Sequence, residues 1–409
     1  MKSDAEAGLP MEGPLLRDPQ SPFRGPGAFF FQLLCLFLTF TAPAFAQVKL
    51  GLLQNTVEHA ERARAAGMEL AMLEVSWDHF EPERGKLNEQ YLEVLLGQAD
   101  IYRAAGQAVI LDLGVQYPPP WLLELPDARY RNQFGDLYQG RGPGKNVANS
   151  VFNAEVRACQ AAYIKRVFTE LGTDFYAVRL GGGWYGELTY PEDKFAGKTN
   201  CYWAFDEFAQ GKRLGLPEGV PPCPVSGWRP GESSPDHESA NLFLPWYLGA
   251  LRNYLEWQIT TARQFYPGPL AVLFPSWGIR PGQVEAAIAE DLAGKTPPEI
   301  NGEIGRGVDF ASQIGAIRDL NVTIHCTWLD ADPTFGDEPP IHYLSQLARE
   351  HRPPLPPSAE NTGGGGQTAL DLCAKRAKAY RLTAFLWAFE PDLFDGQAPE
   401  VEDFGKAFR

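Results

Sequence analysis

The sequence predicts a (β/α)8 TIM barrel, and three observations predict it. Short apolar runs alternate with helix-like runs from residue 48 to residue 390. Eight of these runs read as strands. No Gly-x-Gly-x-x-Gly turn follows an early strand, as it usually would in the rival doubly wound sheet. Strands that alternate with helices argue for a parallel sheet, because parallel neighbours need a crossover between them. Eight such units close naturally into a barrel.

The elements follow in order. VKLGLLQ (48–54) is a short apolar strand, and EHAERARAAG (58–67) is rich in helix formers with a closing glycine. MELAMLEVSW (68–77) reads as a strand and LNEQYLEVLLGQADIYRAAG (87–106) as a helix. QAVILDLG (107–114) is the third strand, and residues 153–172 form the next helix. DFYAVRLGGG (174–183) is the fourth strand, and a long helix covers 244–266. PLAVLFPSW (269–277) is the fifth strand, with weaker helical patterns at 283–293 and 309–318. NVTIHCTWLD (321–330) is the sixth strand, and IHYLSQLAREH (341–351) is a helix. LPPSAENTGGGG (355–366) is a short strand running into glycines, residues 367–380 are a helix, and LTAFLWAFE (382–390) is the last strand. Between residues 190 and 243 lies an insertion rich in Gly, Pro and Trp. It is too long for a plain connection and is expected to shape a site.

Residues 27–46, GAFFFQLLCLFLTFTAPAFA, are apolar and end in Ala44-Phe45-Ala46, the small-x-small pattern of a signal-peptidase site. Residues 1–46 are therefore expected to be a leader cleaved near Ala46, with an uncleaved anchor as the alternative and Met11 as an alternative start. Residues 47–409 are expected to form a single catalytic domain that is secreted or periplasmic and makes no membrane contact after cleavage. The formal net charge of −15 opposes binding to phosphate backbones, so nucleic acid is not an expected partner.

After Cys35 leaves with the leader, five cysteines remain. Cys201 and Cys223 bracket a Gly/Pro-rich loop and are expected to pair in an oxidising compartment. Cys159, Cys326 and Cys373 fall in periodic segments and read as buried thiols. No Cys-x-x-Cys or His-x-x-x-His spacing occurs, so neither a metal nor another cofactor is expected. Oligomeric state is left open.

A barrel of this kind carries its site at the C-terminal ends of the strands. There the sequence places Glu74, Trp77 and Asp78, then Asp112, Gln116, Tyr117 and Trp121, then Trp184, Tyr185 and Glu187. Later strands add Ser276 and Trp277, Thr327, Trp328 and Asp330, Glu360 and Asn361, and Trp387 and Glu390. Six of the ten tryptophans thus fall at one mouth. Flat aromatic faces pack against sugar C–H faces, and carboxylates bind sugar hydroxyls, so the expected partner is a carbohydrate. Two carboxyl groups flanking a glycosidic bond would hydrolyse it. Glu187, among glycines and aromatics, is the candidate acid. Glu360, in a more polar setting, is the candidate base.

GGGWYGELTYP (181–191) resembles the Gly-x-x-Gly-Glu-Leu-x-Tyr-Pro segment of the β-amylase family of glycoside hydrolases. PPSAENTGG (356–364) resembles the segment around that family's second catalytic glutamate, and HCTWLDAD (325–332) its inner loop. AMLEVSWDHFEPERG (71–85) resembles its early strand. The likeness spans about 50 to 395. It implies an inverting hydrolysis of an oligo- or polysaccharide with Glu187 as acid and Glu360 as base, Thr327 beside the water or sugar, and Glu74 binding the sugar. The family's glycine-rich lid after the third strand has no counterpart here, where LDLGVQ runs directly into YPPPWL. WDHFEPERG is also similar to β-galactosidase-type retaining barrels, and retention is the first alternative. A non-catalytic carbohydrate-binding barrel is the second. A phosphate site at the glycines 363–366 is a third, opposed by the acidic charge and the lack of a nearby cation before Lys375.

Overall fold

The computed structural model describes residues 47–408 except residue 296 and residues 334–337. The expected leader, 1–46, lies outside the described residues. Eight strands form one closed barrel in sequence order, each parallel to its neighbours. They are β1 (Lys49–Leu52), β2 (Met68–Glu74), β3 (Ala108–Asp112), β4 (Ala177–Leu180), β5 (Leu270–Phe274), β6 (Val322–Cys326), β7 (Pro357–Glu360) and β8 (Ala384–Trp387). The seam is β1 against β8, with Lys49 opposite Ala384 and Leu52 opposite Trp387. The crossovers carry α1 (Ala60–Ala65), α2 (Glu89–Ala104), α3 (Ala154–Leu171), α4 (Glu238–Arg263), α5 (Phe310–Ala316), α6 (Pro340–Glu350) and α7 (Gly366–Tyr380), and α8 (Val401–Ala407) closes the ring. Among the described residues no helix is long and apolar enough to cross a membrane.

Every predicted strand is present but shorter than its apolar run. The ladder stops where residues leave it to build the mouth. The short helices Trp77–Phe80, Pro120–Leu123 and Pro298–Gly305 lie outside the predicted set. Two of them begin with a proline, whose fixed φ and missing N–H suit the first helical turn. The long helix α4 starts at Glu238 rather than 244 and runs through Pro245, so the irregular segment after β4 ends at 237.

One glycine on the seam is sterically required. A Cβ on Gly51 would lie 2.6 Å from Leu70 Cβ and 2.7 Å from Leu386 Cδ2, so only hydrogen fits between β2 and β8 there.

The period of two along each strand sorts the side chains. Leu70, Met72, Ile110, Leu386 and Ala388 pack together inside the barrel. Val178, Leu180, Ala359, Phe385 and Trp387 join the larger core between strands and helices. At the top of the inward positions, Glu74 stands opposite Asp112 in the register, and Asp112 opposite Arg179.

The disulfide expected between Cys201 and Cys223 is not formed; both are buried free thiols. The Cys201 sulfur lies 3.7 Å from Asn132 Nδ2, which donates to it. The Cys223 backbone is held by Ala209 O at 2.8 Å. The insertion is fastened instead by aromatic packing. Tyr190 stacks on Tyr247 at 4.1 Å, and Phe195 and Tyr138 meet Trp203 at 5.4 and 5.0 Å.

Candidate active site

Three glycines place Glu187. After β4 the chain doubles back so that Gly182 N donates to Gly186 O at 3.0 Å and Gly183 N to Glu187 O at 2.9 Å. A Cβ on Gly181 would lie 2.2 Å from Gly186 O, and one on Gly183 2.1 Å from Thr189 O. The loop can close this tightly only without side chains at its base. Tyr185 takes a left-handed φ of 58° at its tip and Gly186 one of 79°. The result carries the Glu187 carboxyl into a chamber of about 1020 Å³ at the C-terminal ends of the strands.

Inside the chamber Thr327 Oγ1 donates to Glu187 Oε1 at 2.6 Å. Burial outweighs this bond and the nearby Arg306 charge, and lifts the carboxyl from its ordinary 4.5 to about 7. Arg306 is itself fixed by Ser276 Oγ at 2.8 Å and Glu303 Oε1 at 2.7 Å, to both of which it donates.

Glu360 ends β7 in the opposite environment. Arg179 Nη1 donates to Glu360 Oε2 at 2.7 Å, and His325 Nε2 lies 2.9 Å from the same oxygen. Burial by itself would push Glu360 up. The Arg179 charge and the His325 bond overcome it and hold the carboxyl at about 2. Arg179 Nε also donates to Asp112 Oδ2 at 3.2 Å, so one buried guanidinium bridges two carboxylates. Asp112 in turn accepts from Gln116 Nε2 at 3.3 Å. Glu74 accepts from the Tyr117 hydroxyl, and burial together with Asp112 raises its pKa. The chamber therefore holds one carboxyl poised to give a proton and one held as carboxylate.

Of the expected aromatic platform, Trp184, Tyr185 and Trp328 line the chamber. Trp277 stands behind Trp328, edge-on at 4.9 Å, with its indole N–H donating to Asp332 O at 3.0 Å. The other three tryptophans are corrections. Trp77 is fully buried and stacks on Tyr163 at 4.5 Å, because the chain turns into a helix directly after β2 and carries the ring outward. Trp121 packs edge-on against Trp77 and donates to Glu81 O at 3.1 Å, away from the chamber. Trp387 points out of the barrel against Phe404, since the inward positions of β8 are Leu386 and Ala388. Asn361 borders the chamber, but its amide is taken up by the backbone of Ala388 at 2.9 and 2.6 Å. It is a strut at the mouth, not a free hydroxyl-binding group.

Several lining residues were absent from the sequence expectation. Arg179 and Arg306 supply the buried cations, while Gln54, Lys145 and Phe389 edge the opening. Arg179 had a readable signal, a charge at an inward position of the apolar strand AVRL. Lys145 and Arg306 come from irregular segments with no period to read. The glycines 363–366 all take left-handed φ and turn the chain into α7, with Gly364 N donating to Ala388 O at 3.1 Å.

The barrel is similar to that of a β-amylase. The catalytic domain of the β-amylase from Paenibacillus polymyxa superposes with a TM-score of 0.67 at 13% identity, over 88% of this chain and 98% of that one. The β-galactosidases from Bacillus circulans sp. alkalophilus and from the haloarchaeon Halorubrum lacusprofundi give TM-scores of 0.54 and 0.52 at 11% and 15% identity. Each match covers 88% of this chain but only 56% and 57% of the β-galactosidases, so the chain spans little more than half of their length. No protein-family model and no curated protein matches the sequence. The shared property at these identities is the fold.

Proposed function

We propose that the protein is a glycoside hydrolase that cleaves O-glycosidic bonds of an oligo- or polysaccharide, with Glu187 as general acid and Glu360 as general base. The observation that carries this reading is the contrast between two glutamates in one chamber, Glu187 raised to about 7 and Glu360 held at about 2. Hydrolysis needs that difference, since one carboxyl must arrive protonated and the other ionised. Glu187 protonates the leaving oxygen as the bond to the anomeric carbon breaks. Glu360 takes a proton from the water that attacks the same carbon from the opposite face. Trp184, Tyr185 and Trp328 offer flat faces to the sugar, and Glu74 and Asp112 offer acceptors to its hydroxyls. The barrel's likeness to a β-amylase domain supports the inverting form. With the segment 27–46 as a cleaved leader, the enzyme acts outside the cytoplasm.

Anomeric-proton NMR of residues 47–409 with a panel of α- and β-linked oligosaccharides tests the reading. Product of inverted configuration, abolished by Glu187→Gln and by Glu360→Gln, is the expected result. Retained configuration moves Glu360 to the role of nucleophile, the reading that the β-galactosidase likeness favours. Sugar-dependent tryptophan fluorescence with no product overturns catalysis in favour of a binding barrel.

A further inference from the structure

Behind Glu360, His325 and Ser358 are both buried inside the barrel, and neither lines the chamber. His325 is 2% exposed and Ser358 3% exposed. They sit on inward positions of β6 and β7, opposite each other in the register. His325 Nδ1 lies 2.8 Å from Ser358 Oγ, and His325 Nε2 lies 2.9 Å from Glu360 Oε2. The chain Ser358–His325–Glu360 is thus continuous.

The donor directions follow from chemistry. Glu360 is paired with Arg179 and is a carboxylate, which only accepts. The proton facing it is therefore on His325 Nε2. A neutral ring then offers Nδ1 as acceptor, and the Ser358 hydroxyl donates to it. Burial lowers the pKa of His325, in keeping with a neutral ring. Oε2 of Glu360 now has two donors, from β4 and from β6. Among the described residues no bond is made to Oε1, and the residue borders the chamber.

We infer that His325, held in one tautomer by Ser358, is a positioning residue that locks Oε2 of Glu360 and leaves Oε1 as the only oxygen able to take the proton from water. The inference rests on the reading of Glu360 as the base. A carboxylate held at one oxygen cannot rotate its reacting oxygen out of line, and alignment of this kind is a large part of what an active site contributes. The other charged groups facing Glu360 are Arg179, Asp112 through Arg179, and the acid Glu187. None of them is altered in the variants below.

The test compares His325→Gln, which keeps an N–H toward Glu360, with His325→Leu, which removes it, and with Ser358→Ala. Two readouts are taken: the pH profile of kcat on a hydrolysed oligosaccharide, and the Glu360 carboxylate band in infrared difference spectra, identified by its loss in Glu360→Gln. His325→Leu is expected to lower kcat by about 10- to 100-fold with KM nearly unchanged, and to move both the acid limb and the infrared titration of Glu360 upward. His325→Gln should restore most of both, and Ser358→Ala should fall between. An inactive Glu360→Gln beside a His325→Leu with unshifted acid limb and unshifted infrared titration overturns the positioning role and leaves the base in place. An active Glu360→Gln overturns the base and the positioning role together. Unfolding would by itself return Glu360 toward its ordinary pKa, so each variant's thermal melt is recorded beside the titration, and Ser358→Ala, which removes only a hydroxyl, carries the comparison where His325→Leu does not fold.

Discussion

Arg179 Nη1 reaches Glu360 Oε2 at 2.7 Å, while Arg179 Nε reaches Asp112 Oδ2 at 3.2 Å. One guanidinium from β4 therefore joins β3 to β7 across the barrel interior. The fork of Arg suits two carboxylates at once, which a point charge would not. Arg179→Met is expected to destabilise the fold by about 3–5 kcal/mol, because it strands two buried carboxylates without a partner. Urea denaturation at pH 7 measures this, and a loss below about 1 kcal/mol would contradict the network. Some of the lost stability should return near pH 4, where the freed carboxylates take up protons.

Stability should depend on pH with opposite signs for the two glutamates. Glu187 ionises near 4.5 in an unfolded chain and near 7 in the fold. The folded state keeps the extra proton in that interval, so stability falls as pH rises from 4.5 to 7, by about 3 kcal/mol in all. Glu360 is depressed from 4.5 to about 2, so its contribution is present above 4.5 and is lost as pH falls toward 2. Glu187→Gln is therefore expected to be more stable than the parent at pH 8 and equal to it at pH 4. Glu360→Gln should be less stable than the parent at pH 8. Chemical denaturation across this range measures both, and a Glu187→Gln variant no more stable than the parent at pH 8 would contradict the buried acid.

Thr327 tunes the acid. Its hydroxyl favours the ionised form of Glu187, so Thr327→Val should raise the Glu187 pKa further. The basic limb of the pH–activity profile is expected to move to higher pH, since the acid stays protonated longer. A limb that stays put or moves down would show that this bond does not set the acid.

The tryptophans separate by position. Trp328→Ala should raise KM on an oligosaccharide with little change in melting temperature, and Trp277→Ala should do the same more weakly by removing the ring behind it. Trp387→Ala should cost about 3–5 kcal/mol of stability from a buried cavity. Isothermal titration beside thermal melts distinguishes the two classes, and a Trp387→Ala protein of parental stability would contradict the outward placement of that ring.

Cys201 and Cys223 are expected to behave as independent thiols. The melting temperature of residues 47–409 should not change with dithiothreitol, and Cys223→Ser should lower it little. A fall of many degrees on reduction would restore the bridge.

The sequence by itself determined the number and order of the barrel strands, because alternating apolar runs and helix periods are local properties of the chain. It also determined which glutamates stand at strand ends, among them Glu187 after a glycine run that only a tight loop could use and Glu360 at the end of β7. Tertiary structure alone decided their chemical states. The depression of Glu360 needs Arg179 and His325, which lie 181 and 35 residues away along the chain and meet it only when the barrel closes. The rise of Glu187 comes from burial under loops that have no period to read. The tryptophans show the same division. Their position near strand ends was legible, but whether a ring faced the chamber or the core turned on a single step of a two-residue alternation at Trp387, and on a helical turn beginning at Trp77. Those steps are fixed by packing against α8 and α3, not by the residues themselves.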